Sequence, residues 1–560
     1  MADIGNVSVE EAFSQAIAQF AAGRLQDSEA IARAILQRDP THVQSIRLLA
    51  QLARFAGQPE TALTIAREAV RVAPQSAEAH HEMGTILFSL NRVGEAIEAY
   101  RRAIALKPEF AACLGDLGEV EFHCGRPEEA VRLIERAMLL SLKDAALHER
   151  YLRAMRFQAE QHRAIVFEQH KRWGAVYTDP LAKSIPPHQN DRSPERALRI
   201  GYVSGDLFAH SVAYFADKIF AFHDPAVFTV FVYADIRVKD GFTDRLKAMS
   251  PHWQEITGRA DNQVAELIRQ DKIDILVDLA GHSQWNRLGL FALKPAPVQV
   301  TYLGYPDTTG VKAIDYRITD EWCDPPGESE QFYTEKLLRL PPPFVCYRSL
   351  KATPEVSPLP AAADKPITFG SFNILSKLSR ELIALWARVL QAVPGSRLTL
   401  KGWMLGDATT ANQLRKAFAE RGVVPDQLIL LPHEPDILAH LRRYQEVDIA
   451  LDAFPYHGTT TTCEALWMGV PVVTLAGKTH AARVGVSLLN AVGHPEWIAQ
   501  SAEEYVTLAT NLSRDVRGLA KIRAELREQM RNSTLMDAPR FVRGLENAYR
   551  EIWRNWCASA

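Results

Sequence analysis

Four consecutive threonines, Thr459 to Thr462, separate a short apolar run, VDIALDAF, from CEALWMG, a helix-forming segment ended by Gly469 and Pro471. The first turn of a helix carries unpaired N–H groups and partial positive charge. Threonine hydroxyls add donors there with little bulk. Gly458, Thr459, Thr460 and Thr461 therefore make a terminus suited to a phosphate or diphosphate. Glu464, about one turn on, is a carboxylate able to accept from a ribose diol. The plainer alternative is a capped helix with Glu464 in solvent.

Lys377 offers complementary chemistry. It follows the strand-like ITFGSFN and precedes Ser379, a cap for a helix with Leu382, Leu385, Trp386, Val389 and Val393 on one face. An ammonium beside a helix N-terminus is unfavourable without an anion, so Lys377 is a second diphosphate candidate; the ordinary alternative is a solvated lysine. His210 lies in the loop after LRIGYVSGD, just before SVAYFADKIFAFHD, whose cap is read as Ser211. In open α/β sheets such loops lie over the carboxyl edge, where ligands bind. His282 ends the third predicted strand, IDILVDLAGH, and Thr308 sits in LGYPDTTG. A hydrogen-bonded core histidine and a turn threonine are equally good readings of those two. Asp278 is a charge inside an apolar run, which is unusual.

The elements that must position these residues follow from pattern. VDIALDAF, the threonine helix and PVVTLAG read as strand, helix, strand of a parallel sheet. Two α/β halves are predicted, residues 197–347 and 367–560, joined by a Pro/Ala-rich connector at 348–366. A final helix carries Phe541, Leu545, Ala548, Ile552 and Trp556 on one face. Residues 1–145 repeat every 34 residues: Pro40, Pro74, Pro108; Gly23, Gly57, Asn91, Gly125; Ala62, Ala96, Ala130; Ala69, Ala103, Ala137; Gly84, Gly118. That is the tetratricopeptide period, with about four repeats. A helical linker, 146–196, ends in DPLAKSIPPHQNDRSPER.

Four strings, HGTTTTCEALWMGVPVVTL, GYVSGDLFAH, KPAPVQV with LGYPDTTG, and GSFNILSK, resemble the protein O-GlcNAc transferase and SPINDLY family. The resemblance implies an α-helical TPR superhelix followed by an α/β GT-B fold of two Rossmann-like domains. It implies inverting transfer of GlcNAc from UDP-GlcNAc to Ser or Thr hydroxyls of proteins. Lys377 then contacts the donor diphosphate, and His440 and Arg443 lie against the uracil. His210 matches the family's active-site histidine and is the candidate base, with His282 as a further catalytic candidate and Thr308 facing the donor. Gly477, Lys478, Thr479 and Arg483 are placed to cover the donor. Glu464 stands where animal members have Asp. No Asp-x-Asp motif occurs, so no metal and no other cofactor is expected; Lys377 and Thr460–Thr461 would hold the diphosphate instead. Two alternatives stay open: a SPINDLY-like O-fucosyltransferase using GDP-fucose, and a catalytically inactive TPR scaffold. The repeats are read either as a groove for a protein or peptide acceptor or as a spacer or dimerisation element, which leaves a homo-oligomer open.

Composition narrows the setting. Across 560 residues the formal net charge is -3, so neither a nucleic-acid-binding polycation nor a disordered acidic chain is indicated. Six cysteines form no CxxC pair, as expected of reduced thiols in the cytoplasm. MADIGNVSVEEAF does not read as a signal peptide, and no apolar run is long enough to span a membrane. No nucleic-acid or membrane partner is expected.

Overall fold

The computed structural model describes residues 7–350, 352–363 and 365–559. MADIGN, part of the stretch read as lacking a signal peptide, lies outside them.

The repeat region forms helix pairs: Val9–Ala21 with Leu25–Arg38, Val43–Phe55 with Pro59–Val72, Ala77–Ser89 with Val93–Leu106, and Ala111–His123 with Pro127–Leu140. The 34-residue period has a steric cause at each position. Gly23, Gly57, Asn91 and Gly125 sit at the turns with φ of 74°, 71°, 56° and 77°. Glycine enters that left-handed region without penalty, and asparagine tolerates it. Ala62, Ala96, Ala130, Ala69, Ala103 and Ala137 are fully buried between helices. A Cβ on Gly84 would lie 2.9 Å from the Tyr100 ring, and one on Gly118 would lie 2.5 Å from Ile134. Pro40, Pro74 and Pro108 stand just past the ends at Arg38, Val72 and Leu106, where a residue without an N–H cannot extend the helix. Residues 402–416, which sequence order puts in the second α/β half, belong to this compact unit. Trp403 packs edge-on against Phe88, and Asn91 Nδ2 donates to the Trp403 carbonyl at 3.4 Å.

The second unit holds two parallel sheets. The first contains β1 (Leu198–Ser204), β2 (Phe228–Ala234), β3 (His252–Glu255), β4 (Ile275–Asp278), β5 (Val298–Thr301), β6 (Tyr316–Asp320) and β7 (Lys336–Leu340), in the order β3-β2-β1-β4-β5-β6-β7. The second contains β8 (Thr368–Ser371), β9 (Arg397–Lys401), β10 (Leu428–Leu431), β11 (Ile449–Leu451), β12 (Val472–Leu475) and β13 (Ile498–Ala499), in the order β10-β9-β8-β11-β12-β13. This is the helical-repeat and double-Rossmann architecture expected above. The strand order reverses at β1/β4 in one sheet and at β8/β11 in the other, and ligands bind at such switch points. His210 follows β1, Lys377 follows β8, and the threonines follow β11.

Two details correct the reading from sequence. β3 intervenes, so Ile275–Asp278 is the fourth strand, and it ends four residues before His282. Asp278 is the residue at the strand end. Its carboxylate accepts from the N–H groups of Ala280 and Gly281 at 2.9 and 2.8 Å and from Thr301 Oγ1 at 2.8 Å, which makes its burial tolerable. The final helix, Ala538–Ala558, returns to the first sheet: Tyr549 and Tyr202 hydroxyls meet at 3.2 Å, and Glu546 pairs with His223 Nδ1 at 3.0 Å. Trp553 is its buried tryptophan; Trp556 is only half-buried and stacks on Trp553 at 4.8 Å. Among the described residues no helix is long and apolar enough to cross a membrane.

Candidate active site

A cleft of about 390 Å³ brings the two switch points together. His210, Phe215, Leu303 and Phe344 line it from the first sheet's side; Asn373, Lys377, Tyr456, Thr459, Thr460, Thr461 and His480 line it from the second's.

Lys377 ends a 3-10 turn, Leu375–Lys377, and Ser379 caps the following helix through the N–H of Leu382. The Lys377 side chain is buried. Nζ donates to the His457 carbonyl at 2.6 Å and to Asn373 Oδ1 at 3.0 Å, and lies 4.4 Å from the Tyr456 ring centre. Among the described residues no carboxylate touches it. Burial therefore pulls its pKa down to about 7; Asp452 acts in the opposite sense and Arg156 in the same sense as burial.

The threonines divide the work. The helix starts at Thr460, and its N-cap residue, Thr459, makes no side-chain cap bond. Thr462 Oγ1 donates back to the Gly458 carbonyl at 3.0 Å, and Thr461 Oγ1 donates to Asn373 Oδ1 at 3.2 Å. Thr460 Oγ1 is buried and, among the described residues, has no hydrogen-bond partner. Gly458 leaves space for this packing: a Cβ there would overlap Thr461 Oγ1 and lie 2.8 Å from Thr462 Oγ1. The helix terminus is thus open, and its orphan hydroxyl shares a cleft with a desolvated amine. An anion would satisfy both.

His210, not Ser211, is the N-cap of the helix Ser211–Phe222. Its Nδ1 accepts the Val212 N–H at 3.3 Å, and Asp206 Oδ1 is 3.9 Å away. A neutral ring in that geometry carries its hydrogen on Nε2, so it offers the cleft a donor.

The remaining candidates lie outside the cleft lining. His282 is buried, with Nε2 on the Thr309 carbonyl at 2.7 Å and its ring edge-on to Trp173 at 4.6 Å. Thr308 is turned inward to Glu335 Oε2 at 2.6 Å. Glu464 is buried rather than solvated; it pairs with His440 Nε2 at 2.9 Å and takes the Tyr444 hydroxyl at 3.5 Å. His440 Nδ1 meets Lys401. Arg443 is half-buried and pairs with Glu446 at 3.1 Å. Arg483 donates to the carbonyls of Trp322 and Gly477, and Glu160 receives the N–H groups of Lys478 and Thr479.

Sequence reasoning passed over Asn373, Tyr456 and His480 as site residues. Asn373 and His480 follow β8 and β12 at the carboxyl edge, the positional signal that singled out His210. Among the described residues no group of three or more His, Cys, Asp or Glu side chains is arranged to hold a metal ion.

The profile of glycosyl transferase family 41 matches residues 155–351 and 352–545, and tetratricopeptide-repeat profiles match 47–111 and 87–154. The chain is similar to the probable UDP-N-acetylglucosamine–peptide N-acetylglucosaminyltransferase SPINDLY of Petunia hybrida, 42% identical over 415 residues (72% of this chain, 44% of the relative). It is similar to the Arabidopsis thaliana protein of the same description called SEC, 34% identical over 379 residues (65% and 38%). The chain thus spans less than half the length of these curated relatives. Among solved structures, a lysine-to-methionine mutant of Thermobaculum terrenum O-GlcNAc transferase superposes with a TM-score of 0.85 at 36% identity, covering 93% of this chain and 99% of that one. With the profile spanning both sheets and the repeats matched separately, the chain belongs to glycosyl transferase family 41.

Proposed function

We propose that this protein transfers GlcNAc from UDP-GlcNAc to Ser or Thr hydroxyls of proteins, with inversion and without a metal ion. The names of its relatives and of its structural neighbour support the reaction class. The observation that carries the reading is local: Thr460 Oγ1 is buried and unpartnered in the cleft that holds the desolvated Lys377.

In such a transfer the acceptor oxygen bonds to the anomeric carbon as the diphosphate departs with the electron pair. Charge develops on the leaving oxygen, and donors fixed in advance lower that barrier. Lys377, Thr460 Oγ1 and the open N–H groups of the threonine helix are those donors. Inversion requires attack from the face opposite the diphosphate. The repeats serve as the guide for the protein acceptor, and the reaction takes place in the cytoplasm.

The test is a transfer assay across UDP- and GDP-sugars with a mixed peptide acceptor, alongside titration of UDP against GDP. UDP-GlcNAc turnover and tighter UDP binding are expected. Tighter GDP binding with fucose transfer would replace this donor by GDP-fucose. Absence of any nucleoside diphosphate binding would leave the scaffold reading in its place.

A further inference from the structure

We propose that His480, oriented by Asp324, takes the proton from the acceptor hydroxyl; the assignment rests on the sugar-transfer reading above. His480 lines the cleft together with His210, Lys377 and Thr460. It follows β12, and Asp324 follows β6, so the fold joins residues far apart in sequence.

His480 Nδ1 lies 2.7 Å from Asp324 Oδ2, with Thr319 Oγ1 at 3.4 Å from the same nitrogen. Asp324 is fully buried and receives two further donors, Thr319 Oγ1 on Oδ2 at 2.5 Å and the Tyr333 hydroxyl on Oδ1 at 2.8 Å. A carboxylate surrounded by donors is ionised. Burial alone would raise its pKa, but His480, Arg317 and Thr319 together hold it far below the usual carboxylate range. The hydrogen of a neutral His480 must then sit on Nδ1, pointing at Asp324. The lone pair is on Nε2, at the opposite edge of the ring. The Phe344 ring, edge-on at 5.0 Å, packs against the imidazole.

The two cleft histidines therefore carry opposite tautomers. His210 accepts the Val212 N–H on Nδ1 and presents Nε2–H, a donor. His480 donates from Nδ1 and presents a basic Nε2, the arrangement that orients a histidine base in carboxylate–histidine dyads. His480 is 3% exposed and lines the cleft wall.

The acceptor O–H bond breaks and its proton goes to His480 Nε2. The oxygen's electron pair forms the new bond to the anomeric carbon, and the bond from that carbon to the diphosphate oxygen breaks with its pair on the diphosphate. The imidazolium so formed is neutralised by Asp324 and returns its proton to solvent as product leaves.

The experiment pairs kinetics with spectroscopy. His480→Asn keeps a donor near the Nδ1 position and removes Nε2. We expect kcat for peptide glycosylation to fall by about 10²–10⁴ while the UDP Kd stays within about twofold. In wild-type protein labelled with ¹⁵N-histidine, we expect His480 to be protonated on Nδ1, and to shift to the Nε2–H form in Asp324→Asn, whose amide can face Nδ1 with a hydrogen. Transfer retained within about threefold in His480→Asn would overturn the assignment. So would an unchanged kcat with a weakened UDP Kd, which would make His480 a donor-binding group, or a wild-type spectrum with the hydrogen on Nε2. Wild-type protein that transfers no sugar from any donor would instead remove the transfer reading and, with it, the step assigned to His480.

Discussion

Asp452 Oδ1, one residue past β11, accepts the N–H of Gly458 at 2.8 Å, while its Oδ2 accepts from Thr474 Oγ1 at 2.8 Å. One carboxylate thereby pins the loop before the threonine helix to β11 and β12. The same charge counters the burial of Lys377. Asp452→Asn should loosen the loop, because an amide cannot accept on both sides, and should leave Lys377 less protonated. UDP affinity is expected to fall by about tenfold or more, measured by calorimetry, with a larger loss at pH 8 than at pH 6.5.

Lys377 sets a pH dependence whose sign can be worked out. Its ordinary value near 10.5 is depressed to about 7 by burial. Between those values the unfolded chain binds a proton that the folded, ligand-free protein does not. Stability from this group therefore rises with pH from about 7 toward 10.5. A bound diphosphate restores the charge, so binding above pH 7 takes up as much as one proton, and affinity weakens by up to tenfold per pH unit. Titrations in buffers of different ionisation enthalpy measure that uptake directly. Lys377→Met should abolish both the uptake and transfer while raising Tm by a few degrees, since a buried unpaired cation is replaced by an apolar chain.

Thr460 is a cleaner probe, because its hydroxyl has no partner to lose. Thr460→Val keeps the shape of the side chain and removes an unsatisfied polar group, so Tm should hold or rise slightly. If the hydroxyl meets the diphosphate, a charge-assisted bond of about 1.5–3 kcal/mol is lost, and the UDP Kd should rise roughly 10- to 150-fold. An unchanged Kd would remove Thr460 from the site.

What could be read from sequence was what is local. The repeats were legible because each small residue answers a steric demand that recurs at one spacing. Lys377, His210 and the threonines were legible because each stands in a loop just after an apolar run. The His480–Asp324 pair was not, because it forms only when the loops after β6 and β12 meet; in GKTHAARV the residues around His480 were singled out, but not the histidine itself. Thr308 shows the converse. Its string matches the family, but a string does not encode which way a hydroxyl turns, and here Glu335 captures it. β3, with the short polar sequence HWQE, lacks the apolar density that marks its neighbours.

Glu464 separates a structural role from a ligand-binding one. Its carboxylate meets His440 Nε2, and the other nitrogen of that ring meets Lys401, whose pKa burial lowers and Glu464 raises. Glu464→Ala would leave His440 Nε2 without its acceptor and remove a charge that favours the Lys401 ammonium, a loss of about 1–3 kcal/mol. Glu464→Gln keeps the volume and can still hydrogen-bond His440, so it should cost clearly less. Thermal denaturation of the two variants is expected to rank them in that order, with Glu464→Ala several degrees below wild type. If instead both variants keep the wild-type Tm and lose UDP affinity alike, Glu464 acts on the nucleotide rather than on His440.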